Sequence, residues 1–234
     1  MRLPAVRADD LKDLPPAGVA ITRYMYGTPL KHNSVIEAGN WKNAVAAYLA
    51  CTEFVDHCVG VMLKSLDESA HAKNTIIVLW SDHGWHLGEK EHWAKRSLWE
   101  ESTRVPLILA GPGIVKGTSP RAVGLIDLYP TPAELCGLPQ PPQKLEGRSL
   151  RPLLKNPKAI WPHAALTTFQ LNDHTLRTEK WRYIRYANGD EELYDHAKDS
   201  HEWDNLAKDQ KFAAVLKRFR GQLPKVNAPD SPTR

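Results

Sequence analysis

Three side chains suited to binding a metal ion and an anion stand close together in the first half of the chain. Asp82 and His83 lie in the run Ser81-Asp82-His83-Gly84, and Lys95 follows thirteen residues after Asp82. An adjacent carboxylate and imidazole can both turn toward one cation, because Asp supplies a hard oxygen and His a neutral nitrogen. The lysine ammonium is a mobile point charge with three donors. These residue types suggest a metal-assisted site for an anionic substrate, although Asp-His-Gly by itself is equally typical of a capped turn.

The segments before this run predict how it is positioned. Residues 74–80 are a short, β-branched, apolar run that indicates a strand buried on both faces, as in a parallel sheet. Apolar residues spaced three and four apart over 40–66 predict a long core-packing helix with Asn40 as its N-cap. In α/β sheets ligands bind at the carboxyl ends of strands, which is where Asp82 and His83 stand. The following glycine permits the tight turn that this placement needs.

The remainder of the chain predicts two unequal parts. We expect residues 1–137 to be an α/β portion, in which 1–38 are irregular and Asp9-Asp10 form a solvated loop. The Pro-rich stretch 138–148 is typical of a linker. Residues 149–234 are expected to form a small antiparallel α+β subdomain. Further elements are predicted at 105–110 (strand), 127–135 (helix with Asp127 as N-cap), 164–169, 175–177, 181–186 and 192–194 (strands), and 208–219 (helix).

Composition excludes several classes of protein. The 31 basic and 27 acidic residues give a formal net charge of +4, spread along the chain, so we expect no nucleic acid partner. We also expect no membrane span, since no apolar run reaches the roughly 18 residues that a span needs, and no signal peptide at the amino terminus. The three cysteines are odd in number and lack a CxxC pair, which predicts small buried hydrophobes rather than disulfides or a zinc site.

A longer pattern around the candidate residues resembles a known family. The string S-D-H-G-x-x-L-G-E-x-x-x-W-x-K over 81–95, followed by R-V-P-L-I over 104–108, is similar to the type I sulfatases of the alkaline phosphatase superfamily. Within that family it most resembles the branch of iduronate-2-sulfatase and choline sulfatase. Further similar stretches are Leu125-Ile126-Asp127-Leu128-Tyr129-Pro130-Thr131, Cys136-Gly137-Leu138-Pro139, Gly147-Arg148-Ser149-Leu150, Arg177 to Tyr183, and Glu192-Leu193-Tyr194-Asp195.

The resemblance implies a fold and a chemistry. It implies part of a mostly parallel sulfatase-type sheet flanked by helices, followed by the small antiparallel subdomain. It also implies hydrolysis of a sulfuric ester with the help of a calcium ion, on a sulfated carbohydrate or a small sulfate ester. Carried over residue by residue, Asp82 and His83 match metal ligands and Lys95 matches the sulfate-contacting lysine. His86, in the same loop, is a further catalytic candidate, although a surface position is also open for it.

One part of the family pattern is not present in this chain. The family's nucleophile is a formylglycine made from the cysteine of C-x-[PA]-x-R, and Cys51, Cys58 and Cys136 do not fit that motif. We therefore expect a fragment, inactive alone, whose partner is a missing N-terminal half of the same protein. By kinship the complete protein is expected to be periplasmic, secreted or lysosome-like.

Two alternatives remain open at this point. One is a phosphoryl or phosphonate-ester hydrolase of the same superfamily. The other is a non-catalytic paralogue that binds an anion or glycan.

Overall fold

A computed structural model describes residues 1–23, 32–139 and 141–229, and the described residues form a mixed chain of helices with two two-stranded antiparallel sheets and one four-stranded antiparallel sheet. The helices are α1 Pro16–Thr22, α2 His32–Glu37, α3 Trp41–Asp67, α4 Glu100–Thr103, α5 Pro130–Leu135, α6 Arg151–Lys155 and α7 Ala213–Arg220. The strands are β1 Ile77–Trp80, β2 His86–Leu87, β3 Trp93–Ala94, β4 Leu107–Ala110, β5 Ala165–Thr168, β6 His174–Arg177, β7 Trp181–Arg185 and β8 Glu191–Asp195.

The strand that precedes the candidate site pairs differently from the prediction. β1 pairs antiparallel with β4, with Ile77 opposite Ala110 and Trp80 opposite Leu107. The prediction of a parallel strand buried on both faces is therefore wrong for the described residues. β1 is only half-buried, and Trp80 is 51% exposed, because no other described strand pairs with it. Strands β2 and β3 form a separate two-residue ladder, and Lys95 directly follows β3.

The C-terminal strands confirm the predicted antiparallel meander. Strands β5, β6, β7 and β8 lie side by side in chain order, and the turn 186–190 joins the last two. α7 packs on this sheet through Leu216 and Phe219, which contact the side chains of Leu176, Tyr183 and Leu193. This cluster is one of the two apolar cores of the described chain.

The second core contradicts the prediction that residues 1–38 are irregular. α1 contributes Ile21 to a buried cluster with Trp99 and with Tyr186 and Tyr194 of the sheet. The amino-terminal segment thus lies against the C-terminal sheet. The prediction of a solvated Asp9-Asp10 loop fails for Asp10, which is 3% exposed.

The long helix α3 follows the predicted bounds but not the predicted burial. Its residue Val45 is buried, whereas Phe54, Val55 and Met62 are 68%, 58% and 71% exposed. By length and composition α3 could cross a membrane, so the expectation that no segment is long and apolar enough was wrong. Core helices of soluble proteins pass the same test. Asn40 precedes the helix without a side-chain capping hydrogen bond.

Two smaller predictions also change. All three cysteines are exposed rather than buried. Asp127 does not begin a helix over 127–135; it closes a short 3-10 turn at 125–127, where its carboxylate accepts from the Gly124 and Arg148 N–H groups, and α5 begins at Pro130. Asp127 therefore joins this turn to the segment that leads into α6.

Candidate functional site

The structure brings Asp82, His83 and Lys95 together just past the carboxyl end of β1. Lys95 Nζ lies 2.8 Å from His83 Nε2, and the nearer carboxylate oxygen of Asp82 lies 3.6 Å from the same nitrogen. The Asp82 side chain is 81% exposed and that of His83 is 30% exposed. A carboxylate, an imidazole nitrogen and an ammonium therefore share one open surface.

Hydrogen bonding assigns the tautomer of His83. Its Nδ1 lies 2.8 Å from the carbonyl oxygen of Gly84, which can only accept, so Nδ1 carries the proton. Nε2 then presents its lone pair to the Lys95 ammonium. A histidine that donates through one nitrogen to a backbone carbonyl has its other nitrogen oriented as a ligand. His83 and Asp82 thus offer one nitrogen and one oxygen donor on the same side.

Backbone contacts fix the turn that carries these two residues. Gly84 N–H donates to the Ser102 carbonyl at 2.8 Å, and Ser81 Oγ donates to the His83 carbonyl at 2.8 Å. A Cβ at Gly84 would lie 1.9 Å from the Glu101 carbonyl oxygen. Glycine is required here because the backbone of α4 approaches so closely. The turn is therefore anchored to α4.

Lys95 lies between two residues that have an unusual backbone conformation. Its neighbours Ala94 and Arg96 have φ of 74° and 73°, a region that non-glycine residues rarely adopt. The buried His92 holds the segment, since its Nε2 lies 2.9 Å from the Lys95 carbonyl and its Nδ1 lies 3.1 Å from the Thr22 carbonyl. A neutral imidazole can donate only one of these bonds at a time. Such conformations persist only when surrounding contacts impose them.

His86 occupies a different environment from the one predicted. It is fully buried, and its Nδ1 and Nε2 lie 3.2 Å from the Glu89 carbonyl and 2.8 Å from Ser97 Oγ. Burial, reinforced by the neighbouring His92, lowers its pKa well below the ordinary value. In the described chain His86 therefore packs beneath the loop and does not have the surface position that the sequence left open.

The segment from β2 to the start of α4 is held in place by contacts with distant parts of the chain. Lys90, 2% exposed, donates to Asp10 Oδ1 at 2.6 Å and to the Glu202 carbonyl. Trp99 Nε1 donates to the buried Glu192 of β8 at 2.8 Å. The loop conformation thus depends on both the amino-terminal segment and the C-terminal sheet.

A buried ionic network makes the same connection through α4. Arg182 of β7 pairs with Glu100 and Glu202, and Arg177 Nε lies 3.1 Å from Glu100. Burial raises the pKa of Glu100, but the two guanidinium groups outweigh it and lower that pKa to about 2. His196 Nε2 lies 2.7 Å from Glu202.

Part of this network also has the residue types of a metal site. Potential ligand atoms of Glu100, His196 and Glu202 lie within 4.8 Å of one another. The guanidinium groups already neutralise both carboxylates, so we assign the cluster to the ionic network rather than to a cation.

Sequence reasoning did not find these supporting residues. Lys90 lies 80 positions from Asp10 and 112 from Glu202, so no local spacing relates them. The left-handed residues around Lys95 include no glycine that would have signalled them.

Two protein-family models match the chain. The Sulfatase model matches residues 14–138, and the model described as N-sulphoglucosamine sulphohydrolase, C-terminal, matches residues 88–229. Together they cover the candidate site and the C-terminal sheet.

Individual relatives agree with the family models. The chain is 42% identical over 231 residues to a protein named sulfatase from Formosa agariphila, covering 97% of this chain and 45% of that protein. It is 32% identical to a delta 4,5-hexuronate-2-O-sulfatase from Bacteroides thetaiotaomicron, covering 82% and 44%.

Solved structures share the fold. One of a 2-O GAG sulfatase superposes with a TM-score of 0.76 at 28% identity, over 95% of this chain and 51% of the other. A phosphonate monoester hydrolase from Silicibacter pomeroyi superposes with a TM-score of 0.78 at 25% identity, over 95% and 49%. The chain spans about half the length of these proteins. With two family models matching more than half of its residues, the chain belongs to the sulfatase family and corresponds to a C-terminal portion of a type I sulfatase.

Proposed function

We propose that the complete protein is a metal-dependent sulfuric-ester hydrolase, with Asp82, His83 and Lys95 at its reaction centre. The observation that carries this proposal is the convergence of one carboxylate, one imidazole lone pair and one ammonium at the end of β1. Two of these groups suit a cation and the third suits an anionic oxygen. Membership of the sulfatase family supports the same chemistry.

Asp82 and His83 are the residues that would hold a calcium ion. Their donors fit such an ion, because the Asp82 carboxylate is open and His83 is already oriented by its Nδ1 bond to Gly84. When bound, a divalent cation lowers the pKa of a nucleophile and screens the charge of an anionic ester. These two donors alone would bind it weakly, so we propose that further ligands come from elsewhere in the complete protein.

Lys95 would neutralise a sulfate oxygen. The backbone at Lys95 is fixed by His92 and the β2–β3 ladder. A charge that is already positioned requires little rearrangement when the substrate binds. His86 has no role in this proposal because it is buried beneath the loop.

The proposed substrate is a sulfated sugar or a small sulfated alcohol. The relative from Bacteroides thetaiotaomicron is named a hexuronate-2-O-sulfatase, and a further solved structure is of a complex with the substrate D-glucosamine-2-N,6-O-disulfate. A resemblance to iduronate-2-sulfatase is the finer form of the same proposal. By kinship we place the complete protein in the periplasm, outside the cell or in a lysosome-like compartment.

We further propose that the chain alone is inactive and that its partner is the other half of the same sulfatase fold. No cysteine of the chain lies in C-x-[PA]-x-R, and the exposed apolar face of α3 offers a surface for that half. The matching relatives are about twice as long as the stretch they share with this chain.

One second candidate has a specific observation behind it. The phosphonate monoester hydrolase superposes about as well as the 2-O sulfatase, so the fold is equally compatible with hydrolysis of a phosphonate ester. The test is to assay the complete protein for sulfate release from a 2-O-sulfated disaccharide and for hydrolysis of a phosphonate monoester. Faster turnover of the sulfate ester is expected. A clear preference for the phosphonate would reverse the assignment.

A further inference from the structure

A cavity on the C-terminal sheet combines aromatic and cationic side chains. Its volume is about 380 Å³, within the range of small-ligand pockets. It lies where the turn between β6 and β7 meets residues 161–163 and the end of α7. Its lining shares no residue with the Asp82, His83 and Lys95 group. The residues used in the argument are Arg121, Trp161, Glu179, Lys180, Trp181 and Arg218.

Two indole rings are fixed in the cavity wall. Trp181 packs edge to face against Phe212, with 5.6 Å between ring centroids, and Trp161 packs similarly against His163 at 5.1 Å. Within the described chain, neither indole N–H donates to another residue. Each ring therefore presents apolar surface and a hydrogen-bond donor, the combination that aromatic residues offer to amphipathic ligands.

The charged residues of the wall favour an anion. Arg121, Lys180 and Arg218 supply three cations. Arg121 pairs with Glu179, and Lys180 Nζ lies 3.5 Å from Asp195 Oδ2, so the net charge available to a ligand comes from Arg218. Lys180 Nζ lies 4.8 Å from the Trp181 ring centroid, so its charge stands beside the indole. Arg218 forms no ion pair with any described residue, and its guanidinium lies over the Phe219 ring.

We propose that this cavity is a non-catalytic binding site for a sulfated saccharide. Sugar rings have apolar faces that pack on indole, while a sulfate group suits the charge of Arg218. A nucleic acid fits less well, since the chain's net charge of +4 is small and spread along the sequence. The site goes beyond the proposed function because it requires no hydrolysis, and it could hold a second unit of a polymeric substrate.

Calorimetric titration of the full chain with a heparin tetrasaccharide tests the proposal. Arg218→Gln should weaken binding about tenfold, as should Trp161→Ala, since each removes a central contact. Lys217→Gln is the matched control, because Lys217 precedes Arg218 in α7, is also exposed and does not line the cavity. Circular dichroism of each variant confirms that α7 and the sheet are retained.

Four results would overturn the site. Equal loss of affinity in Lys217→Gln and Arg218→Gln would show general charge attraction. Unchanged affinity for a desulfated tetrasaccharide would remove the role of sulfate, and tighter binding of a single-stranded oligonucleotide would point to nucleic acid. Absence of any binding would also contradict the proposal. The titration measures binding by a chain that we propose is inactive alone, so failure here is distinguishable from failure of the proposed hydrolase, which is measured by turnover of the complete protein.

Discussion

The turn that carries Asp82 and His83 depends on single residues that could not be replaced by larger ones. Gly84 is the sharpest case, because its α-carbon faces the backbone of α4 at Glu101. Gly84→Ala should lower the free energy of unfolding by about 2 kcal/mol, since neither backbone can yield without displacing Asp82 and His83. Chemical denaturation followed by circular dichroism measures the change.

A second glycine provides the control for that substitution. A Cβ at Gly60, within α3, would meet no atom within 4 Å. Gly60→Ala should therefore be neutral or stabilising by roughly 0.5–1 kcal/mol, because alanine favours a helix. Equal destabilisation by the two substitutions would show that the close approach at Gly84 is not the cause.

Neighbouring carboxyl groups in α4 have opposite electrostatic environments. Burial, together with the charge of Glu202, raises the pKa of Glu101 to about 8, whereas Glu100 is held ionised by two arginines. The folded state thus binds a proton at Glu101 more tightly than the unfolded state does. The stability that this proton contributes is complete below about pH 4.5 and is lost as pH rises through about 8.

Glu101→Gln tests this pH dependence, because the amide imitates the protonated acid. We expect the variant to be more stable than the original chain by about 1–3 kcal/mol at pH 9 and equally stable near pH 4.5. Thermal unfolding across this pH range provides the measurement. Glu100→Gln should instead destabilise the chain at pH 9, since it breaks the Arg182 network. A Glu101→Gln effect that is independent of pH would contradict the account.

Helices and strands were predicted from sequence where local pattern decides them. The C-terminal meander follows from short apolar strands and the Asn188-Gly189 turn, and the structure has it at nearly the predicted bounds. α1 was missed because Pro16 and Gly18 suggest loop. In the fold Gly18 faces the buried Glu192 carboxylate, where a Cβ would lie 2.6 Å away.

For the candidate site, too, the sequence predicted what a local motif determines and missed what contacts between distant residues determine. The motif placed Asp82, His83 and Lys95 in one loop, and the structure brings their side chains together. The supports of that loop, including Asp10 and Arg182, come from distant parts of the chain. Burial of His86 could not be read from a polar segment either, because it depends on packing beneath the loop.

The exposed face of α3 makes a prediction about the chain on its own. Phe54 and Met62 lie on the surface and contact water, which favours self-association or binding of a hydrophobic dye. Replacing both with lysine should reduce dye binding and association without lowering stability. Dye fluorescence and light scattering measure the effect. Val45→Lys, at a buried position of the same helix, is the control that should destabilise the fold.

Over the whole molecule, the amino-terminal segment and the C-terminal sheet both support the loop that carries Lys95. Lys90 joins Asp10 to the Glu202 backbone, and Trp99 joins α4 to Glu192. The side chain of Asp82 is exposed and that of His83 is partly exposed beside this support. In the described chain these contacts therefore hold the loop that we propose forms one side of a reaction centre.

The most direct test of that centre is to measure calcium content and turnover together in variants of the complete protein. Asp82→Ala should abolish sulfate-ester hydrolysis and weaken calcium retention. Lys95→Ala should lower turnover by about two to three orders of magnitude while calcium content stays unchanged. Lys116→Ala, at an exposed position outside the site, should alter neither. Near-normal turnover in both the Asp82 and the Lys95 variants would contradict the assignment.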